Sequence, residues 1–191
     1  MSLMGIVMLF FIALPSSCTR KKELVEEAII SRDSLPIMKT VGMESLVSDS
    51  GVIRYRITAG EWLIFNKLDP SYWSFEDKIH VERFDSLMRV DATIDADTAY
   101  FYDKDRLWEL RSNVQIVNLE GVKFTTNLLY WNQLTERVYS DDFISIQKGD
   151  DILRGYGFEA DQQLTNFKIY KPTGAGYINM AEPKTKTDSI Q

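Results

Sequence analysis

The chain is poor in the residues that carry covalent and metal chemistry. Of its 191 residues, one is cysteine, Cys18, and one is histidine, His80. A single cysteine excludes an intramolecular disulfide framework, and a single histidine excludes a multi-histidine metal site. His80 reads as an ordinary strand residue. Basic clusters are scarce too: the net charge is −6, and the one basic run is Arg20-Lys21-Lys22. Nucleic-acid binding needs a basic surface, so the charge argues against nucleic acid as a partner. The N-terminal run Met1–Leu14 is apolar apart from Ser2 and Gly5. It falls short of the roughly 20 residues of a spanning helix.

Catalytic patterns are equally thin. Ser16, Ser17 and Ser112 have no base at a suggestive spacing. Gly155-Tyr156-Gly157 sits in a β run with no helix after it, unlike a phosphate-binding loop. Asp91, Asp95 and Asp97 alternate on one strand face, and Asp103 and Asp105 flank Lys104 in a turn. That arrangement reads as solvated charge guarding strands, not as a calcium site. No enzyme activity, no cofactor and no metal site is therefore expected.

What the chain does have is alternation. Val90, Ala92, Ile94 and Ala96 share one face, and Asp91, Thr93, Asp95 and Asp97 share the other. Leu110, Ser112, Val114 and Ile116 repeat the pattern, and Val122, Phe124, Thr126, Leu128 and Tyr130 continue it. Period-two patterning marks half-buried strands. Turn residues separate the runs: Asp103-Lys104-Asp105, Asn118 to Gly121, Asn132-Gln133 and Gly149-Asp150-Asp151. The segment from Tyr100 also matches the segment from Tyr130 at a fixed offset of 30 residues, so that Val114 falls on Ile144 and Ile116 on Ile146. A fixed offset of this kind marks a repeated strand–turn–strand unit. Met38 to Val47 reads as an entry segment. Ten or so short strands, with no confident helix, predict an all-β sandwich or open barrel.

The ends differ from this middle. Met1–Leu14 has the length of a signal-peptide apolar region. The following Leu14-Pro15-Ser16-Ser17-Cys18 resembles the lipobox of bacterial lipoproteins, which implies a lipid on Cys18. A plain secretory signal or an uncleaved anchor fits the same segment. Either way the domain is expected outside the cytoplasm. The reading is a signal over 1–17, a tether over 18–37, a β domain over 38–171 and a polar, disordered tail over 172–191.

The inward face mixes small with aliphatic residues. Ala92, Ala96, Ser112, Thr126 and Ser140 alternate with Ile94, Leu110, Val114, Ile116, Phe124, Leu128, Val138, Ile144 and Ile146. Such a face suits a groove for an apolar guest. It equally suits a narrow sandwich whose small residues let two sheets approach, and most alternating strands simply make cores.

The segments Ala92-x-Ile94-x-Ala96, Tyr100-Phe101-Tyr102, Leu107 to Ile116, Thr125 to Trp131, Val138 to Asp141 and Ile152 to Gly157 follow one another in a fixed order. This ordered series, over about residues 40–170, resembles the LptC family, the membrane-anchored periplasmic component of lipopolysaccharide export. The repeated unit is similar to the OstA-like domain of that machine. Asp49 to Ile57 with Glu61-Trp62 looks like the form found in Bacteroidetes-type members. The resemblance implies an open, taco-like β-jelly roll of two antiparallel sheets. Lipid A acyl chains would slide through a groove lined by the inward residues from Ala92 to Ile146. One sheet edge, Val52–Phe65 with Val52, Tyr55 and Ile57, would meet the ABC transporter. The other, Ile152–Tyr170 with Ile152, Phe158, Phe167 and Ile169, would meet an OstA-like periplasmic bridge protein. The anchor would lie in the inner membrane more readily than the outer. Two other readings stay open: an adaptor with a closed core that works by edge pairing, and a carbohydrate-binding sandwich using Trp62, Trp73, Trp108 and Trp131.

Overall fold

The computed structural model describes residues 34–174. The expected signal segment, Cys18 and the tail beyond Gly174 lie outside the described residues. Within them every regular element is a strand: β1 (Met38–Asp49), β2 (Val52–Phe65), β3 (Tyr72–Phe84), β4 (Val90–Ala96), β5 (Thr98–Tyr102), β6 (Leu107–Asn118), β7 (Lys123–Asn132), β8 (Arg137–Lys148), β9 (Asp151–Asp161) and β10 (Phe167–Pro172). All pairings are antiparallel and run β1-β2-β3-β4-β6-β7-β8-β9-β10 across one continuous sheet. Strand β5 pairs with β3 and β6, so β4 and β5 lie end to end in one position of the sheet.

The repeat is explicit in the strands. β6 and β8 begin and end 30 residues apart. Their preceding turns end on Arg106 and Glu136, both at positive φ. Asn118 and Asn132 brace turns with their side-chain oxygens. Asn118 Oδ1 accepts from the Val122 N–H at 2.9 Å and the Glu120 N–H at 3.1 Å, and Asn132 Oδ1 accepts from the Leu134 and Thr135 N–H groups at 3.0 Å. Such local bonds are why Asn and Asp dominate turns.

A line of irregularities crosses the sheet. Register shifts fall at Ala59/Glu61, Arg111/Val114, Thr126/Tyr130 and Ser140/Phe143. In the middle of the sheet the line runs through Asp97, Ser112, Asn127, Asp142 and Gly157, one every fifteen residues. Asp77, Lys78, Ser112, Asn113 and Gly157 take positive φ along it. β-bulges bend a strand and increase its twist. A row of them in adjacent strands creases the whole sheet.

The crease divides the sheet into two layers that face each other. Tyr55 on β2 and Trp131 on β7 are four positions apart in strand order, about 19 Å along a flat sheet at ~4.8 Å per strand. Their rings are 5.6 Å apart. Phe124 on β7 meets Phe158 on β9 and Phe167 on β10, each at 5.7 Å. The core fills the space between the layers. Phe75, Ile79, Val114, Ile116, Val122, Phe124, Leu129, Ile144, Ile146 and Phe158 are all essentially inaccessible. Alternation thus delivers one face of every strand to a shared interior, as period-two patterning requires.

Candidate functional site: the space between the layers

The interior is apolar and almost filled. Among the described residues, two small cavities can be traced within it. One of about 30 Å³ is lined by Val81, Ala92, Ile94, Leu110, Ile116, Leu129, Val138 and Leu164 among others. The other, about 50 Å³, is lined by Val47, Tyr55, Ile57, Val81, Ile94, Trp108, Leu110, Trp131 and Gln133 among others. For comparison, an apolar cavity that takes up one benzene ring has a volume of ~150 Å³. No acyl chain fits until the layers part.

Opposite the crease the layers meet through side chains. An open mouth of about 560 Å³ is lined there by Asp49, Arg54, Tyr55, Arg83, Asp91, Arg106, Gln133 and Glu136 among others. Burial pushes the Tyr55 hydroxyl above its ordinary value, against the pull of Arg83, so it stays protonated at neutral pH. Beside this mouth the β9–β10 loop reaches across. Arg83, held by Asp91 at 2.6 Å, donates from Nη1 to the Gln162 carbonyl at 3.0 Å. Asn118 Nδ2 donates to the Leu164 carbonyl at 3.4 Å. Leu164, in the left-handed region, is pressed into the interior and buried.

Most of the expected groove residues do face this space. Ala92, Ala96, Leu110, Val114, Ile116, Phe124, Val138, Ile144 and Ile146 are buried there, and Ile94 is half-buried. Leu128 is a correction. The bulge after Thr126 shifts the alternation by one residue, so Leu129 points inward and Leu128 is left half-buried. The Leu128 carbonyl instead accepts the Ser140 hydroxyl at 2.6 Å and the Thr126 hydroxyl at 3.2 Å. Ser112 is corrected likewise: it sits on the crease, exposed, at φ 61°. Phe75, Ile79, Val81, Phe101 and Leu164 also wall the interior and were not among the expected groove residues, although Ile79 and Val81 share one face of an alternating strand in the sequence.

The first expected edge is corrected by one strand, and the second, Ile152–Tyr170, narrows from β9 and β10 to β10 alone. The entry segment is in fact a 12-residue strand, β1, which covers β2. Val52, Tyr55 and Ile57 therefore lie on a strand paired on both sides, with Ile57 buried inside. Ile152 and Phe158 lie on β9, also paired on both sides, and Phe158 is buried. The true edges are β1 and β10. Phe167 and Ile169 are on β10, but half-buried against the core. The exposed large apolar residues of the edges are Val41, Leu46 and Val47 on β1 and Tyr170 on β10.

None of the four tryptophans offers an exposed ring for a sugar. Trp62 packs on Trp73 and Phe75, and Trp108 on Phe75, Phe101 and Trp131. His80 is bound by Asp95 at 2.7 Å. Among the described residues no group of three or more His, Cys, Asp or Glu side chains is placed to hold a metal ion. No described helix is long and apolar enough to cross a membrane.

A single antiparallel sheet creased so that its two parts face each other over an apolar interior makes the domain an all-β jelly roll. A family model described as lipopolysaccharide-assembly, LptC-related, matches residues 6–177, and the chain belongs to that family. No curated protein matches the chain. The family is a periplasmic envelope component that takes part in lipopolysaccharide export, as a transport component and not an enzyme.

Proposed function

We propose that the chain receives lipopolysaccharide from an ABC transporter and passes it to an OstA-like periplasmic bridge, with the acyl chains held between the two layers. The observation that carries this reading is the one-sided closure. The backbones of β6, β7, β8 and β9 run unbroken through the crease, while among the described residues only side chains bridge the layers at the mouth. A clam of this kind can open without breaking its sheet. Each exposed CH₂ of a lipid costs about 0.8 kcal/mol in water, so an apolar interior is what a passing acyl chain requires.

The chain performs no reaction of its own in this reading; the transporter supplies the energy. A lipid on Cys18 holds the domain at the inner membrane. The unpaired edges β1 and β10 join the transporter and the bridge by strand addition, the mode that open sheet edges favour. The small size of the interior cavities favours a second reading, a closed-core adaptor that works through the same edges. Site-specific photo-crosslinking separates the two. Probes at Val114, Phe124 and Ile144 capture lipopolysaccharide in the conduit reading, while probes at Gln115, Thr125 and Ser145 on the opposite face of the same strands do not. Equal capture from both faces leaves only the adaptor.

A further inference from the structure

The interior is not uniformly greasy. Near the mouth, the indole N–H of Trp108, the indole N–H of Trp131 and the side-chain oxygen of Gln133 are each buried with no hydrogen-bond partner among the described residues. The three residues line one cavity, the 50 Å³ space beneath Tyr55. Trp108 and Trp131 are direct cross-strand partners on β6 and β7, with ring centroids 6.5 Å apart and nearly parallel. Trp108 is itself only 8% exposed. Gln133 follows two residues after Trp131, in the turn that forms the rim. Behind them the wall turns aliphatic with Ile57, Val81, Ile94 and Leu110.

Buried indole N–H groups ordinarily find an acceptor, because leaving one unpaired costs the desolvation of the donor. A third unpaired indole, on Trp62, shows the difference that position makes. Trp62 stacks between Trp73 and Phe75 and lines neither interior cavity. Trp108, Trp131 and Gln133, by contrast, carry two unpaired donors and one unpaired acceptor on side chains that line a single space with an aliphatic floor.

We propose that Trp108, Trp131 and Gln133 form a polar subsite just inside the mouth for the head of an acyl chain, the indoles donating to its carbonyl oxygen and Gln133 accepting from a chain hydroxyl or amide N–H. The proposal rests on the reading that acyl chains enter between the layers, and adds that the entry is selective. A chain linked through an ester or amide is held at its first carbons, and a bare alkyl chain is not. The tail beyond meets only hydrocarbon, so the hold is local and releasable.

The test uses the full-length chain and two ligands of equal chain length on the same glucosamine headgroup, an acyl amide and an alkyl ether. Affinities are read by displacement of a fluorescent fatty acid. The wild-type chain is expected to prefer the amide by about 5- to 10-fold, the worth of one or two donors satisfied. Trp108→Phe and Trp131→Phe keep an aromatic ring and lose the N–H. Each is expected to lower amide affinity more than ether affinity, so that the preference for the amide shrinks. Equal loss for both ligands shows a packing role, and a preference retained in both variants shows donors served by water; either overturns the subsite while the conduit stands. Failure of the wild-type chain to bind either ligand overturns both. Should a variant unfold, ¹⁵N-indole spectra of the wild-type chain decide the matter: the Trp108 and Trp131 N–H signals shift with the amide and not with the ether. Identical shifts with the two ligands reject the subsite.

Discussion

At the scale of single residues, two positions show how tightly the sheet is assembled. Gly155 on β9 is buried, and a Cβ there would lie 2.6 Å from the Lys171 carbonyl oxygen and press on the Ile169 side chain, both on β10. Only glycine lets the edge strand approach this closely. Gly155→Ala is expected to cost about 1–3 kcal/mol, the usual price of overpacking. Urea unfolding should show the loss, and amide exchange should show β10 loosening first. Leu128 and Leu129 provide a second measure. Truncating Leu129 to alanine should cost about 2–5 kcal/mol, as for other buried leucines, while Leu128→Ala should cost about 1 kcal/mol or less. The reverse order would place the β7 bulge elsewhere. These neighbours also show where sequence reading stops. The alternation from Val122 to Thr126 was plain, and so was the inward face of Val114, Ile116, Ile144 and Ile146. A bulge inserts one residue without any change of composition, and a one-residue slip turns every later side chain over. Leu128 was misassigned for that reason, and Ser112 because it takes a left-handed φ on the crease while Leu110 and Val114 on either side stay inward.

At the scale of elements, the β9–β10 loop is the part most open to control. Asp161 holds it. Its carboxylate accepts from the Thr165 N–H and hydroxyl, each at 2.9 Å, and from the Asn166 N–H at 3.1 Å and side-chain amide at 2.8 Å. Partial burial by itself would push this carboxyl up, but the bonds from Asn166 and Thr165 outweigh it and hold the group below the usual aspartate range. A lowered carboxylate stabilises the fold above its unfolded pKa. That contribution is lost as the pH falls from the ordinary aspartate value through the lowered one. The loop is therefore expected to lose its order in acid before the sheet does. Protease cleavage after Leu164 should rise below about pH 4, the ordinary aspartate range. Asp161→Asn should make cleavage easier already at neutral pH and flatten its acid dependence. A pH profile unchanged by Asp161→Asn would assign the loop's order to Arg83 and Asn118 instead. The elements themselves were largely legible beforehand. The 30-residue offset read between the segments from Tyr100 and Tyr130 recurs in β6 and β8, which begin and end 30 residues apart. The edges were not. Met38 to Val47 lacks regular apolar alternation, since an edge strand with both faces largely wet has no inward face to encode.

At the scale of the whole molecule, the volumes decide how a lipid could be carried. Interior spaces of about 30 and 50 Å³ admit a few water-sized groups and no chain. The contacts to be broken for entry are those across the mouth: Tyr55 on Trp131, Arg83 on the Gln162 carbonyl and Asn118 on the Leu164 carbonyl. None of them belongs to the strand ladder, so the crease can act as a hinge while every strand stays paired. A ligand can shift such an equilibrium only by its preference for the open form. An acyl chain has that preference, because it replaces the aromatic and aliphatic surface that the layers would otherwise bury against each other. Spin labels at Asp49 and Glu136, which line the mouth from the two layers, should therefore move apart when lipopolysaccharide binds and return when it is withdrawn. The amides of β6 and β8 on either side of the crease should keep their exchange protection throughout. Bound lipid with an unchanged label distance would mean that the cargo never enters the fold, and the edges alone would then account for the protein's part in export.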